Sequence, residues 1–172
     1  DTIISNELVE TAVTRDVDPT EGGISWGLDV ARYGSDKSAL CKRRGNTVME
    51  PIKSWAKLDT MKLMGIVNAE YKKAQEEENA PVEILVDVIG IGESASLSGQ
   101  YKNLRAELWH KAKEWFEQRH CRIPRDERLM FELCSPRYSF ESSGKIRMET
   151  KDEMKKRIGH WTWSILAKTT YA

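Results

Sequence analysis

The feature that most constrains this chain is a dense aliphatic run at residues 82–90, which read VEILVDVIG. The run enters a turn built on Gly90 and Gly92. An aliphatic run of this kind, followed by a helical segment, is typical of a parallel strand that is covered on both faces. We therefore expect an α/β protein whose sheet contains this strand.

The hydrophobic pattern in the rest of the chain predicts further helices and strands around that strand. A helix capped by Ser5 or Asn6, with Leu8, Val9, Ala12 and Val13 inward, precedes a linker, so we expect a helix and linker over 1–23 and one domain over 24–172. The predicted strands are 24–31, 35–44 and 46–55, with a second hairpin around Ser143-Gly144, and the predicted helices are 58–75, 102–119, one after Pro124 and one from Lys151. Elements in this order predict a mixed β-sheet flanked by α-helices.

Composition excludes several classes of protein. The chain has 172 residues, enough for one domain with a real core, and its 27 basic residues balance 27 acidic ones. No apolar run approaches the roughly 20 residues that cross a bilayer, and nothing resembles a secretion leader, so we expect no membrane partner. Because the chain begins with Asp1 rather than Met, we expect a fragment of a longer protein. The three cysteines form no CxxC pair, which argues against a disulfide scaffold or a cysteine-rich zinc site.

Two aspartates interrupt strands that are otherwise apolar. Asp29 lies between Leu28 and Val30, and Asp87 lies within the aliphatic run. An ionised carboxylate in such a setting is costly unless it binds a cation or is strongly hydrogen-bonded. Either acid alone is explained by a helix cap or an ion pair, for example with Arg32. Two of them on strands that are expected to be neighbours indicate one shared metal site.

Hard carboxylate oxygens favour Mg²⁺ or Mn²⁺ over zinc. Carboxylates that hold two such ions about 4 Å apart activate a water molecule and stabilise the leaving oxygen of a phosphodiester. Three antiparallel strands, a helix and then a parallel strand with a second aspartate are the order found in RNase H-like nucleases. The pattern therefore predicts a two-metal-ion nuclease in which Asp29 and Asp87 are the catalytic metal ligands.

Five segments, in order, resemble the nuclease domain of phage terminase large subunits. They are GLDVARYGSDKSAL (27–40), VDVIGIG (86–92), NLRAELW (103–109), IPRDERLMFEL (123–133) and GKIRMETKDEMKKR (144–157). The opening NELVETAVTRD (6–16) is similar to the segment that joins the packaging ATPase to its nuclease. Asp29 and Asp87 match the first two metal-binding carboxylates of the family, and Asp36 matches a recurring acid of the first motif whose role is open.

The resemblance implies an endonuclease that cuts concatemeric double-stranded DNA, with little sequence preference, in the cytoplasm of the bacterial host of a phage or prophage. It also implies three protein partners: the terminase ATPase domain, the small terminase subunit and the portal protein. No GxxxxGK[ST] motif is present in this sequence, so we do not expect these residues to drive translocation.

The chain departs from the family at two places. The family usually has a third catalytic acid after KKR, whereas this chain continues IGHWTWSILAKTTYA without an acid. His160 or Asp152 is a candidate substitute for this third metal ligand. A second hypothesis is a local frameshift, because a frameshifted reading of the codons for Trp161–Ser164 yields an Asp-containing motif. In addition, residues 93–102 are too few for the helix and strand that the family usually places there, so we expect a reduced sheet beside Asp87.

A basic cluster in the second hairpin and the last helix is the candidate DNA-binding surface. Its members are Lys145, Arg147, Lys151, Lys155, Lys156 and Arg157. Cations that contact phosphates without reading bases suit a nuclease of low sequence preference, although a solvated helix face has the same pattern. Two alternatives to the terminase nuclease stay open: a RuvC-like junction nuclease, and a decayed prophage remnant that acts only in DNA binding or docking.

Overall fold

The computed structural model of this protein describes residues 1–19, 21–31, 37–87 and 94–158. The elements alternate much as the sequence pattern predicts. They are α1 (Asn6–Thr14), β1 (Ile24–Asp29), β2 (Lys37–Arg44), β3 (Thr47–Val48), β4 (Lys53–Ala56), α2 (Thr60–Glu76), β5 (Glu83–Asp87), α3 (Leu104–Glu117), α4 (Glu127–Cys134), β6 (Tyr138–Phe140), β7 (Ile146–Met148) and α5 (Lys151–Ile158).

The main sheet is mixed, as predicted. Its strand order is β3-β2-β1-β5, and β4 also pairs with β2. β1 is antiparallel to β2 and parallel to β5. Within the described residues β5 pairs with β1 alone. The reduced sheet expected from the short segment after Asp87 stays a prediction.

The predicted third strand, 46–55, is two strands rather than one. β3 and β4 both pair antiparallel with β2, but the register shifts by two residues between them. Pro51 lies in the interruption and has no N–H group to donate to the ladder. The sequence pattern therefore located the segment correctly and missed the break in it.

One core lies between α2 and the sheet. Its buried members are Ile24, Trp26, Leu28, Leu40, Leu63, Val67 and Ala74. Ion pairs reinforce the attachment of α2, because the Glu70 carboxylate contacts Lys42 Nζ and Lys53 Nζ at 2.6 Å each. Hydrogen bonds from these two lysines lower the pKa of Glu70. α2 thus covers one face of the main sheet and does not cover the opposite face.

A second core joins the N-terminal segment to α3, α4 and β7. Ile3, Ile4, Val9 and Ala12 are buried in it together with Trp109. The Ile3 N–H donates to the Pro136 carbonyl at 3.0 Å. α1 is therefore packed into this core, while the domain boundary at residue 23 stays a prediction. None of the described helices is long and apolar enough to cross a membrane.

Candidate metal centre

The sheet brings Asp29 and Asp87 side by side. Asp29 ends β1, Asp87 ends β5, and the two residues are direct partners in the parallel register. Their neighbours Leu28 and Val86 are partners in the preceding row, and Leu28 belongs to the core under α2. Because successive residues of a strand alternate between faces, both aspartates lie on the face opposite α2.

Backbone contacts fix the ends of these two strands. The Val30 N–H donates to the Asp87 carbonyl at 2.9 Å, which ties the end of β1 to the end of β5. The Ala31 N–H donates to Ser38 Oγ at 3.0 Å, which ties the same segment to β2. Ser38 is a supporting residue that the sequence analysis missed. The sequence signal for it was a serine directly before the apolar residues Ala39, Leu40 and Cys41 in a predicted strand.

Asp87 is the one buried residue of β5, whereas Asp29 is half-buried. Two ionised carboxylates on directly paired residues of neighbouring strands repel each other unless a cation lies near them. Their oxygens are the donors that Mg²⁺ and Mn²⁺ prefer, so the pair fits a divalent cation.

A complete ligand set is not visible in the described residues. They contain no group of three or more histidine, cysteine, aspartate or glutamate side chains that could hold a metal ion. Asp36 and His160, named as candidates from the sequence, lie outside the described residues. Asp152 lies in the first turn of α5 with an exposed side chain. The third ligand therefore stays a prediction.

The cysteines offer no reactive thiolate. Cys41 and Cys121 are buried, and Cys134 is half-buried. Burial raises the pKa of Cys41 and of Cys134 to about 11, and it also raises the pKa of Cys121. All three are free cysteines, and their thiols stay protonated at neutral pH.

The predicted DNA-binding arginines already have protein partners. Arg147 donates to both carboxylate oxygens of Glu153 at 3.0 and 3.1 Å. Arg157 donates to both oxygens of Glu149 at 2.6 and 2.8 Å and to the Ser135 carbonyl at 2.7 Å. These bidentate pairs attach α5 to the segments before it.

The lysines of the same cluster are placed differently. Lys145 is exposed at the turn between β6 and β7. Lys155 Nζ lies 3.9 Å from Asp152 Oδ1, at the limit of an ion pair, and Lys156 is exposed. Lys151 begins α5, and its side chain lies outside the described part of the chain. Lys145, Lys155 and Lys156 are therefore exposed, whereas carboxylates hold the guanidinium groups of both arginines.

No protein-family model and no curated protein sequence matches the chain. Solved structures do. The nuclease domain of the large terminase subunit gp2 of bacterial virus Sf6, solved with manganese and β-thujaplicinol, aligns with a TM-score of 0.67 and 15% identity, covering 96% of this chain and 95% of that chain. The chain has the fold of a large terminase nuclease domain.

A second phage supports the same conclusion. The large terminase nuclease of thermophilic phage G20c aligns with a TM-score of 0.58 and 14% identity, covering 90% of this chain and 93% of that one. A further structure of the G20c nuclease has bound magnesium, with a TM-score of 0.57, 13% identity, and coverage of 90% and 92%. The RNase H-like α/β fold and the resemblance to terminase nuclease domains are both confirmed.

Proposed function

We propose that this chain is a metal-dependent endonuclease domain of a phage DNA-packaging terminase and that it cuts double-stranded DNA. The observation that carries the proposal is the direct pairing of Asp29 with Asp87 at the ends of two parallel strands. The pair occurs in a chain with the fold of terminase nuclease domains, some of which were solved with bound metal.

In this proposal Asp29 and Asp87 hold Mg²⁺ or Mn²⁺, with two ions in the complete site. Bound ions would supply Lewis-acid activation of water and charge stabilisation at the leaving oxygen. The protein contributes a fixed pair of carboxylates, because backbone hydrogen bonds join β1 and β5 up to the ends of both strands. Burial of Asp87 keeps bulk water from screening its charge.

DNA binding in this proposal uses the exposed lysines. Lys145, Lys155 and Lys156 would contact phosphate oxygens, while Arg147 and Arg157 hold α5 in place. Phosphate contacts carry no sequence information and weaken as salt rises. The expected enzyme therefore has little sequence preference. Its partners would be the terminase ATPase domain, the small terminase subunit and the portal protein in the bacterial host cytoplasm.

Plasmid cleavage tests the proposal. The purified chain is incubated with supercoiled DNA and Mn²⁺, Mg²⁺ or EDTA, beside Asp29→Asn, Asp87→Asn and the exposed-site control Asp18→Asn. We expect cutting by the parent and by the control in either metal, and no cutting in EDTA. Both site variants should cut at least about a hundredfold more slowly, because the ions they hold supply several kcal/mol of transition-state stabilisation.

Thermal unfolding with and without Mn²⁺ separates lost chemistry from lost folding. A ligand that binds only the native state raises its melting temperature. The parent and Asp18→Asn should therefore be stabilised by Mn²⁺, and the two site variants should fold without this response. A folded parent that neither cuts nor responds to Mn²⁺ would favour a docking-only remnant, and preferential cutting of four-way junctions would favour a RuvC-like nuclease.

A further inference from the structure

The hairpin formed by β6 and β7 has an apolar face that begins in the second core and ends in solvent. Tyr138 pairs with Met148, and Phe140 pairs with Ile146, so these four side chains lie on one face. Met148 is 5% exposed in the second core, whereas Phe140, the last residue of β6, is 67% exposed. The hairpin therefore presents an aromatic ring to solvent next to its turn.

Backbone hydrogen bonds hold this hairpin in place from two sides. The Ile146 N–H donates to the Gln100 carbonyl at 2.9 Å, and the Lys102 N–H donates to the Ile146 carbonyl at 2.8 Å. The Tyr138 N–H donates to the carbonyl of the first residue of the chain at 3.2 Å. Because Ile146 is the register partner of Phe140, the backbone that carries the exposed ring is fixed.

Aromatic contacts also orient the ring. The Phe140 and Tyr138 ring centroids lie 5.9 Å apart at an interplanar angle of 78°. The Tyr138 ring makes a similar contact with His110 of α3, at 5.9 Å and 83°. Edge-to-face pairs of this kind are favourable. Phe140 is therefore held through its contact with Tyr138 while most of its surface stays open to another ring.

The charges beside Phe140 give the exposed ring a chemical context. A single exposed apolar residue is common on protein surfaces and indicates no partner by itself. Glu141, the next residue, lies 2.8 Å from Lys102 Nζ. The hydrogen bond from Lys102 and the charges of Arg147 and Lys145 lower the pKa of Glu141. One carboxylate beside the ring therefore lies among three cations.

An exposed ring beside surplus positive charge is complementary to nucleic acid. Proteins that bind single-stranded DNA combine aromatic side chains, on which bases stack, with cations that contact the backbone. In an intact duplex each base is covered by its neighbours in the stack, so a ring on the protein surface reaches only an unpaired base. Stacking tolerates any sequence, because every base has a π face.

We propose that the β6–β7 hairpin binds unpaired DNA bases, with Phe140 stacking on a base and Lys145 contacting a neighbouring phosphate. Lys145 supplies the surplus cation, because Glu153 holds Arg147 in a bidentate pair and Lys145 is exposed at the turn. The assignment rests on the proposed function, since that function makes DNA the ligand. It adds the form of DNA that the hairpin recognises, a single strand or a frayed end.

Fluorescence anisotropy of labelled DNA, measured on the full chain in EDTA to prevent cutting, tests the assignment. The probes are a short oligothymidine and a short duplex with G·C ends. Phe140→Leu removes the aromatic face and keeps an apolar side chain against Tyr138, whereas Phe140→Trp keeps an aromatic face. The matched control is Phe131→Leu, because Phe131 is an exposed phenylalanine on a different element, α4.

We expect Phe140→Leu to weaken the binding of oligothymidine about tenfold, which lies within the range for the loss of one base–aromatic stack. Phe140→Trp and Phe131→Leu should bind it within about twofold of the parent, and the duplex affinity of all three variants should change by less than about twofold. No loss in Phe140→Leu, an equal loss in Phe140→Trp, or an equal loss on the two probes would overturn the assignment.

Salt dependence separates stacking from charge. Lys145→Gln should reduce the slope of log affinity against log salt for oligothymidine by about 0.7, the value for one phosphate contact on a single strand. Phe140→Leu should leave that slope unchanged, because stacking releases no counterion. Equal slopes in the parent and Lys145→Gln, or a reduced slope in Phe140→Leu, would contradict the roles given to the two residues.

Two kinds of failure are distinguishable. A parent that binds neither probe and does not cut plasmid DNA overturns the proposed function, and the assignment of the hairpin with it. A parent that cuts plasmid DNA while Phe140→Leu binds oligothymidine as tightly as the parent overturns the assignment alone.

Discussion

Ser38 is a polar residue in the interior of the sheet, and its role depends on a single hydrogen bond. Its side chain is buried, and its hydroxyl oxygen accepts from the Ala31 N–H two residues after Asp29. A partly buried backbone donor without an acceptor is costly. The hydroxyl therefore holds the chain at the point where it leaves β1 beside the candidate metal centre.

We expect Ser38→Ala to lower the free energy of unfolding by about 1–3 kcal/mol, since it leaves the Ala31 N–H without this acceptor. Urea denaturation followed by circular dichroism measures the change. Ser54→Ala, at an exposed position of β4, is the control and should change stability by about 0.5 kcal/mol or less. Equal effects of the two substitutions would contradict the role given to the Ser38 hydroxyl.

At the scale of an element, α5 is held by its first turn. Thr150 and Glu153 form a capping box, in which the Thr150 N–H donates to Glu153 Oε2 at 2.7 Å and the Glu153 N–H donates to Thr150 Oγ1 at 3.2 Å. The bidentate Arg147 pair acts on the same carboxylate. Together the Arg147 and Thr150 hydrogen bonds lower the pKa of Glu153 to about 2.

This shift makes the attachment of α5 sensitive to acid. Because the folded pKa lies below the ordinary value of 4.5, the stabilisation is complete above about pH 4.5 and is lost as the pH falls towards 2. Glu153→Gln keeps a capping side chain and loses the ion pair, so it should cost about 0.5 kcal/mol at pH 7, a small value since the pair is partly exposed. Thermal melts from pH 7 to 2 should show the difference from the parent disappear at the acid end. A difference that stayed constant with pH would contradict the assignment.

At the scale of the whole molecule, β5 and the residue before it present an exposed apolar edge of the main sheet. Val82, Leu85 and Val86 are more than half exposed. Edge strands with exposed aliphatic side chains pair readily with other chains, and a charged residue on such an edge usually prevents this. We therefore expect the chain to self-associate through the exposed side chains of this edge.

We expect Val86→Lys to reduce self-association, measured by light scattering, while it lowers stability by about 1 kcal/mol or less. The matched control is Leu28→Lys, because Leu28 is the register partner of Val86 on the same face. Leu28 is 3% exposed, whereas Val86 is 52% exposed. The control should cost more than about 4 kcal/mol, since it buries a charge in the core. Unchanged scattering by Val86→Lys would show that this edge does not drive association.

Much of the fold was readable from the sequence because it depends on local pattern. Helix periodicity located α1, α2 and α3, and the predicted cap at Ser5 is present, with Ser5 Oγ accepting from the Leu8 N–H. The aliphatic run located β5, and the two interrupting aspartates indicated the candidate site. Such signals need only neighbours along the chain.

Only the tertiary structure decided which groups meet. The register that makes Asp29 and Asp87 direct partners joins residues that are far apart in sequence. Pairs nearer in sequence also depend on the fold: Glu107 binds residues 96–97, and Arg157 pairs with Glu149, so a predicted DNA-binding arginine makes an internal contact instead. Strand register and side-chain pairing follow from how the faces pack, and that packing is a property of the whole chain rather than of any segment.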